Sequence, residues 1–161
     1  MKKHIISAVA VSLIAVPAYA GNNSATTSGS AAAVIVGPIS IAHTVGKTLN
    51  FGAFAAAAGT ITVNADGTHS SSGVSLLSGT ATTADAFSVG GDAGRVFDIT
   101  TTGGTVKFGA TTMPFTTASS TTSATLTGGA ASFTVGGTLT VAGTEGAGAY
   151  TGTYSATATY E

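Results

Sequence analysis

Apolar and polar positions alternate most cleanly at the C-terminal end of the chain. Tyr150, Gly152, Tyr154, Ala156, Ala158 and Tyr160 hold one phase, while Thr151, Thr153, Ser155, Thr157 and Thr159 hold the other. A period of two sends successive side chains to opposite faces, so this stretch predicts a half-buried strand with Tyr and Ala inward and hydroxyls outward. Ile61 and Val63 alternate with Thr60 and Thr62 just ahead of Asn64-Ala65-Asp66-Gly67. Asp-Gly reverses a chain readily because glycine accepts positive φ, so a hairpin is predicted here. Shorter apolar clusters follow: Val74 with Leu76, Phe87 with Val89, Val96 and Phe97 with Ile99, Val106 with Phe108, Phe133 with Val135, and Leu139 with Val141. Gly-rich or polar breaks divide them, and many short strands at this spacing predict an antiparallel sandwich or barrel. Phe54 to Ala58 is the one helical candidate after residue 20, and it is shorter than a helix that persists alone.

The first twenty residues have a different pattern. Lys2 and Lys3 precede an apolar run from Ile5 to Val16, and Ala18-Tyr19-Ala20 supplies small residues for cleavage, which together read as a secretory signal cut after Ala20. The run is about 12 residues, against roughly 20 for a membrane-spanning helix, and no later segment is long and apolar enough to span as one. Gly21 to Ser30 is a Ser, Thr, Asn and Gly tract expected to be a mobile extension, leaving residues 31–161 as one β domain.

Composition narrows the function classes. Only 7% of the chain is charged, well below the usual quarter, and hydroxyl residues stand in for charges. Such a surface gives up much of the charge-based protection against edge pairing, which suits a protein whose task is to associate. After cleavage Lys47, Arg95 and Lys107 face six acidic residues, a balance that argues against nucleic acid as a partner. There is no cysteine, so export would bring no disulfide staples.

Reactive chemistry is sparse. His43 and His69 have no neighbouring His or Cys at a metal-binding spacing and are expected at the surface. Asp66, Asp85, Asp92 and Asp98 lack the spacing of a calcium loop and read as turn residues, with Asp85 and Asp92 near the two ends of a strand around Phe87. Arg95 is placed to pair with Asp92 or Asp98. No nucleophile elbow, phosphate loop or dinucleotide glycine pattern is present, so neither a catalytic residue nor a cofactor is assigned and the chain is not expected to be an enzyme.

The ends of the chain resemble a known group. Tyr160 is penultimate, Ala158, Ala156 and Tyr154 precede it at steps of two, and Gly148 lies fourteen positions from the end. Chaperone-usher pilins end in this way, and the run Gly148-Ala149-Tyr150-Thr151-Gly152 is similar to the ends of spore-coat-U-like and archaic pilins. Over a longer span, Pro38-Ile39-Ser40-Ile41, Leu49-Asn50-Phe51-Gly52, Gly59 to Val63, Asp66-Gly67 and Phe133 to Leu139 resemble the secreted family named domain of unknown function 4402. The cysteine pair common in pilins is absent. The pilin resemblance implies an immunoglobulin-like antiparallel β-sandwich lacking one strand, with the C-terminal strand from Gly148 through Tyr150, Tyr154, Ala156 and Ala158 to Tyr160 facing a periplasmic chaperone or a neighbouring subunit.

The matching donor would come from Ser24 to Val36, where Ala32, Val34 and Val36 share one phase. Gly37-Pro38 interrupts the ladder just afterwards, and Ala33 to Val36 read equally as the protein's own first strand. The functional expectation is an exported structural or surface subunit that assembles by strand addition, as a homopolymer or with pilin-like neighbours, in the periplasm, at the cell surface or outside it. The alternative is a monomeric secreted module that binds a glycan or small ligand.

Overall fold

A computed structural model describes residue 21 and residues 24–161, so the signal-like segment 1–20 lies outside the described residues. Residues 24–34 carry no secondary structure and are exposed, and the compact unit runs from Ile35 to Glu161. Eleven strands build that unit, all pairs are antiparallel, and no helix occurs among the described residues.

The strands are β1 (Ser40–His43), β2 (Phe54–Ala55), β3 (Gly59–Val63), β4 (His69–Ser72), β5 (Ser75–Leu76) and β6 (Asp85–Gly90). They continue with β7 (Val96–Phe108), β8 (Thr111–Ser119), β9 (Ser123–Thr125), β10 (Ala130–Val141) and β11 (Thr151–Tyr160). The main path runs β1-β6-β10-β8-β7-β11, β3 pairs with β10 and β4, β9 pairs with β7, and β2 and β5 form a separate small ladder.

The hairpin around Asp66-Gly67 forms, with Val63 opposite His69 and Gly67 at φ 88°. Phe54 and Ala55, in the Ala-rich run that hinted at a helix, instead pair with Leu76 and Ser75. Two apolar clusters that read as separate strands, Phe133–Val135 and Leu139–Val141, are one strand, and so are Val96–Ile99 and Val106–Phe108. A glycine pair sits inside each long strand where its partner changes. Val135 is the last β10 residue to pair with β6, and Gly137 is the first to pair with β3. In β7 the β9 pairing ends at Asp98 and the β8 pairing begins at Gly104, and Gly103-Gly104 is where the register with β11 shifts. A Cβ on Gly136 would overlap the Val63 carbonyl, and one on Gly104 would overlap the Thr153 carbonyl. These glycines let backbones pass close, and the strands bend there without ending.

Bending curls the sheet around two apolar clusters. One gathers Ile61 and Val63 of β3, Met113 and Phe115 of β8 and Leu139 and Val141 of β10, with Phe51 and Val74. The other gathers Val89 of β6, Phe97 and Ile99 of β7, and Phe133 and Val135 of β10, with Leu126. Tyr154 of β11 packs against both. The strand sequence accounts for its position: in β11 Tyr154, Ala156, Ala158 and Tyr160 are half-buried while every intervening residue is exposed, the alternation expected of a strand with one wet face.

Candidate functional site

The path of the sheet has two unpaired rims. β1 pairs only with β6 and β11 only with β7, so each leaves one edge without ladder partners. The two strands approach one another but exchange no ladder hydrogen bonds. Beside them lies a groove of about 950 Å³. One wall is the stretch 48–56 that follows β1, the other is the stretch 145–154 that leads into β11, and the floor is Val106, Met113, Phe115 and Leu139.

Each wall has a local cause. Glu145 accepts hydrogen bonds from the backbone N–H groups of Ala142 and Gly143, each at 2.7 Å, and those donors hold its carboxyl below the usual range. Tyr150 Oη donates to the Gly146 carbonyl at 2.9 Å, and its ring meets that of Phe108 with centroids 5.7 Å apart. The Phe108 ring lies directly over Gly148, so any side chain at that position would collide with it. On the opposite wall Asn50 is bridged to Thr83, and Asn50 Oδ1 accepts from the Gly52 N–H at 2.9 Å.

One end of the groove is polar. Asp85, the first residue of β6, is 4% exposed and is the sole buried charged residue among the described residues. His43 of β1 places Nε2 2.6 Å from Asp85 Oδ1, where only the imidazole N–H can donate to a carboxylate. Tyr154 of β11 donates its hydroxyl to Oδ2 at 2.8 Å, and the Ala86 N–H donates to Oδ1 at 2.8 Å. One carboxylate thus ties the two unpaired rims to β6. Burial, and then the hydrogen bond and negative charge of Asp85, push the Tyr154 hydroxyl far above the ordinary range of a phenol. Aromatic rings surround this end: Phe87 lies edge-on to His43 at 5.2 Å and to Tyr154 at 6.1 Å, and Phe115 lies edge-on to Tyr154 at 6.2 Å.

The residues singled out in the sequence divide between two neighbourhoods. Gly148, Tyr150 and Tyr154 line the groove. Ala156, Ala158 and Tyr160 pack on the second apolar cluster instead, and Tyr160 Oη accepts from the Asp92 N–H at 2.8 Å. Ala32 and Val34 are exposed, and Val36, 36% exposed, is outside any strand. The protein's own first strand is therefore not Ala33–Val36: it begins at Ser40, beyond Gly37-Pro38.

Other sequence expectations need correction or placement. Asp85 is no turn residue but a buried member of β6, while Asp66 does sit in its turn and accepts from Thr68. Arg95 makes no ion pair among the described residues. His69 is exposed and meets the Thr82 hydroxyl at 2.8 Å. The His43–Asp85–Tyr154 cluster was invisible to motif reading because its members lie 42 and 69 residues apart. Its one local signal was an aspartate immediately ahead of an apolar strand.

A family model described as "Domain of unknown function (DUF4402)" matches residues 39–160. No curated protein and no solved structure matches the chain. The matched span takes in all eleven strands and both walls of the groove, and leaves Ala31–Val36 outside.

Proposed function

The chain belongs to the DUF4402 family, and from that premise we propose that this member is an exported structural subunit whose curled sheet accepts an added β-strand. The proposed arrangement is an immunoglobulin-like, pilin-like sandwich, with the incoming strand lying in the groove along the free edge of β11. The observation that carries this reading is the free edge of β11, whose residues Thr151 to Tyr154 form part of one wall of a groove floored by core side chains. An unpaired strand edge offers free backbone donors and acceptors; an added strand satisfies them and lays alternate side chains into the groove. A periplasmic chaperone would fill it before assembly and a pilin-like neighbour or a second copy afterwards. The signal-like start, the low charge and the absence of any motif for chemistry agree with a structural role.

The test is assembly of the purified secreted protein, followed by size exclusion and electron microscopy. Wild type is expected to form polymers or exchanged oligomers, and the variant with Val34→Asp and Val36→Asp to remain monomeric with an unchanged circular-dichroism spectrum. A wild type that stays monomeric at high concentration, with no gain in stability from any strand-forming peptide, would overturn the proposal.

A second reading rests on the size of the groove. About 950 Å³ lined largely by apolar side chains is within the range of small-molecule sites, so a monomeric module for a small apolar ligand is the alternative. Under that reading the two valine substitutions leave ligand binding intact.

A further inference from the structure

We infer that the groove is a site for an organic cation, an apolar body carrying one protonated amine, with the ammonium lodged at the Asp85 end and the body lying over Val106 and Met113. This rests on the small-ligand reading of the groove and names the class of its ligand. Two observations carry it: the charge of the lining, and the rings gathered around Asp85.

The lining is acidic. Asp85 stands at one end and Glu145 begins the wall that leads into β11, while no Lys or Arg among the described residues lines the groove. The bases nearest in sequence stay outside. Lys47 is exposed and precedes the wall at Thr48, and Lys107 is exposed and alternates with Val106, which puts it on the opposite face of β7. His43 is the one lining residue able to carry positive charge, and its Nε2 already donates to Asp85. Two backbone N–H groups hold the Glu145 carboxyl below the usual range, so it stays ionised, while burial and Asp85 keep the Tyr154 hydroxyl neutral. An anion entering this lining meets like charge with little to offset it.

Asp85 also has acceptor capacity to spare. A carboxylate takes about four hydrogen bonds, and His43, Ala86 and Tyr154 supply three. An ammonium donates to the remaining position and brings opposite charge to a carboxylate that is 4% exposed. Phe87 and Phe115 each stand nearly perpendicular to Tyr154, at 81° and 87° with centroids 6.1 and 6.2 Å away, and all three rings line the groove. Rings beside an acid suit an ammonium, because the negative face of an aromatic ring attracts a cation within about 6 Å of its centroid. Next to them Val106, Met113 and Leu139 floor the groove, and about 950 Å³ is room for a drug-sized body and not for a lone ion. An alcohol of the same shape would gain the floor and a hydrogen bond but leave the acidic charge unanswered.

The test is calorimetric titration of the purified secreted protein carrying Val34→Asp and Val36→Asp, so that no extension from another copy competes for the groove. Three probes share one apolar body: phenylbutylamine, phenylbutanol and phenylbutyrate, compared at about pH 8, above the range in which histidine ordinarily changes charge. The amine is expected to bind at least about tenfold more tightly than the alcohol, and the carboxylate to bind most weakly. Two variants should abolish the preference for the amine, each checked for an unchanged circular-dichroism spectrum. Asp85→Asn removes the charge, and His43→Arg, at a half-exposed position, fills that end with a fixed cation while still donating to Asp85. Glu145→Gln, at the start of the wall, is expected to lower amine binding by about threefold or less. Equal binding of the three probes, tighter binding of the alcohol or carboxylate, or an amine preference that survives both Asp85→Asn and His43→Arg would overturn this inference and leave the small-ligand reading standing. Binding by none of the three overturns both.

Discussion

At the scale of single residues, Asp85 is the one buried charged group among the described residues. It is almost wholly buried, and three donors from β1, β6 and β11 converge on it. Removing the carboxylate leaves the Tyr154 hydroxyl in a largely apolar setting without its acceptor, and leaves His43 and the Ala86 N–H without theirs. Asp85→Ala is therefore expected to cost about 3 kcal/mol, from roughly 1–3 kcal/mol for each buried group left unsatisfied and partial recovery by water at half-exposed His43. Urea unfolding checks it, and an effect below about 1 kcal/mol would mean the cluster is hydrated and not a tie. The Tyr154 hydroxyl adds a pH dependence whose sign follows from its shift. Its folded-state pKa is raised above the ordinary phenol value of 10.0, mainly by burial and then by Asp85, so the folded state keeps a proton that the unfolded chain releases. The associated stability is complete below about pH 10 and falls as pH rises beyond it. Wild type should lose stability between about pH 10 and 12 more steeply than Tyr154→Phe, measured by denaturant midpoints across that range.

At the scale of elements, the chain's own pattern sufficed for strands whose two faces meet different surroundings. β11 was legible because its inner residues touch core and its outer ones touch water, and the β3–β4 hairpin because Asp66-Gly67 leaves little alternative to a reversal. The long strands were not legible. Glycine pairs at 103–104 and 136–137 look like breaks in a one-dimensional reading, whereas their cause is a neighbouring carbonyl brought close from elsewhere in the chain. The groove's polar end escaped for a related reason, since Asp85 has meaning only once β1 and β11 flank it. The argument about glycine has a direct check. Gly104→Ala would drive a methyl into the Thr153 carbonyl and against the Phe115 ring, while Gly146→Ala meets nothing nearby. The first is expected to lower stability by about 2 kcal/mol or more and the second to stay within about 0.5 kcal/mol of wild type, by thermal or urea unfolding. Similar values for the two would mean that the sheet relaxes freely at the bend.

At the scale of the whole molecule, the question is what an occupied groove does to a sheet whose main path ends in the bare rims of β1 and β11. The curl is held by two apolar clusters that share Tyr154 and by a single carboxylate reaching both rims. β1 and β11 contribute no ladder bonds to each other, so this side opens before the β8-β10 centre does, and local openings of this kind set where partners enter. A strand laid in the groove would pair the free edge of β11 and cover Val106, Met113 and Phe115. Because the unfolded chain has no groove, binding stabilises the fold by mass action, about 2.7 kcal/mol at a hundredfold excess of ligand over its Kd. For a domain of this size that raises the unfolding midpoint by roughly 10 °C. The peptide from Ser24 to Gly37 should produce that rise in the Val34→Asp, Val36→Asp protein, in proportion to the logarithm of its concentration once binding saturates. Hydrogen exchange should locate the gain, with new protection along β11 and little change in β3 and β4, none of whose residues lines the groove. A rise in midpoint with protection spread evenly over all strands would instead mean that the peptide acts on the chain without entering the groove.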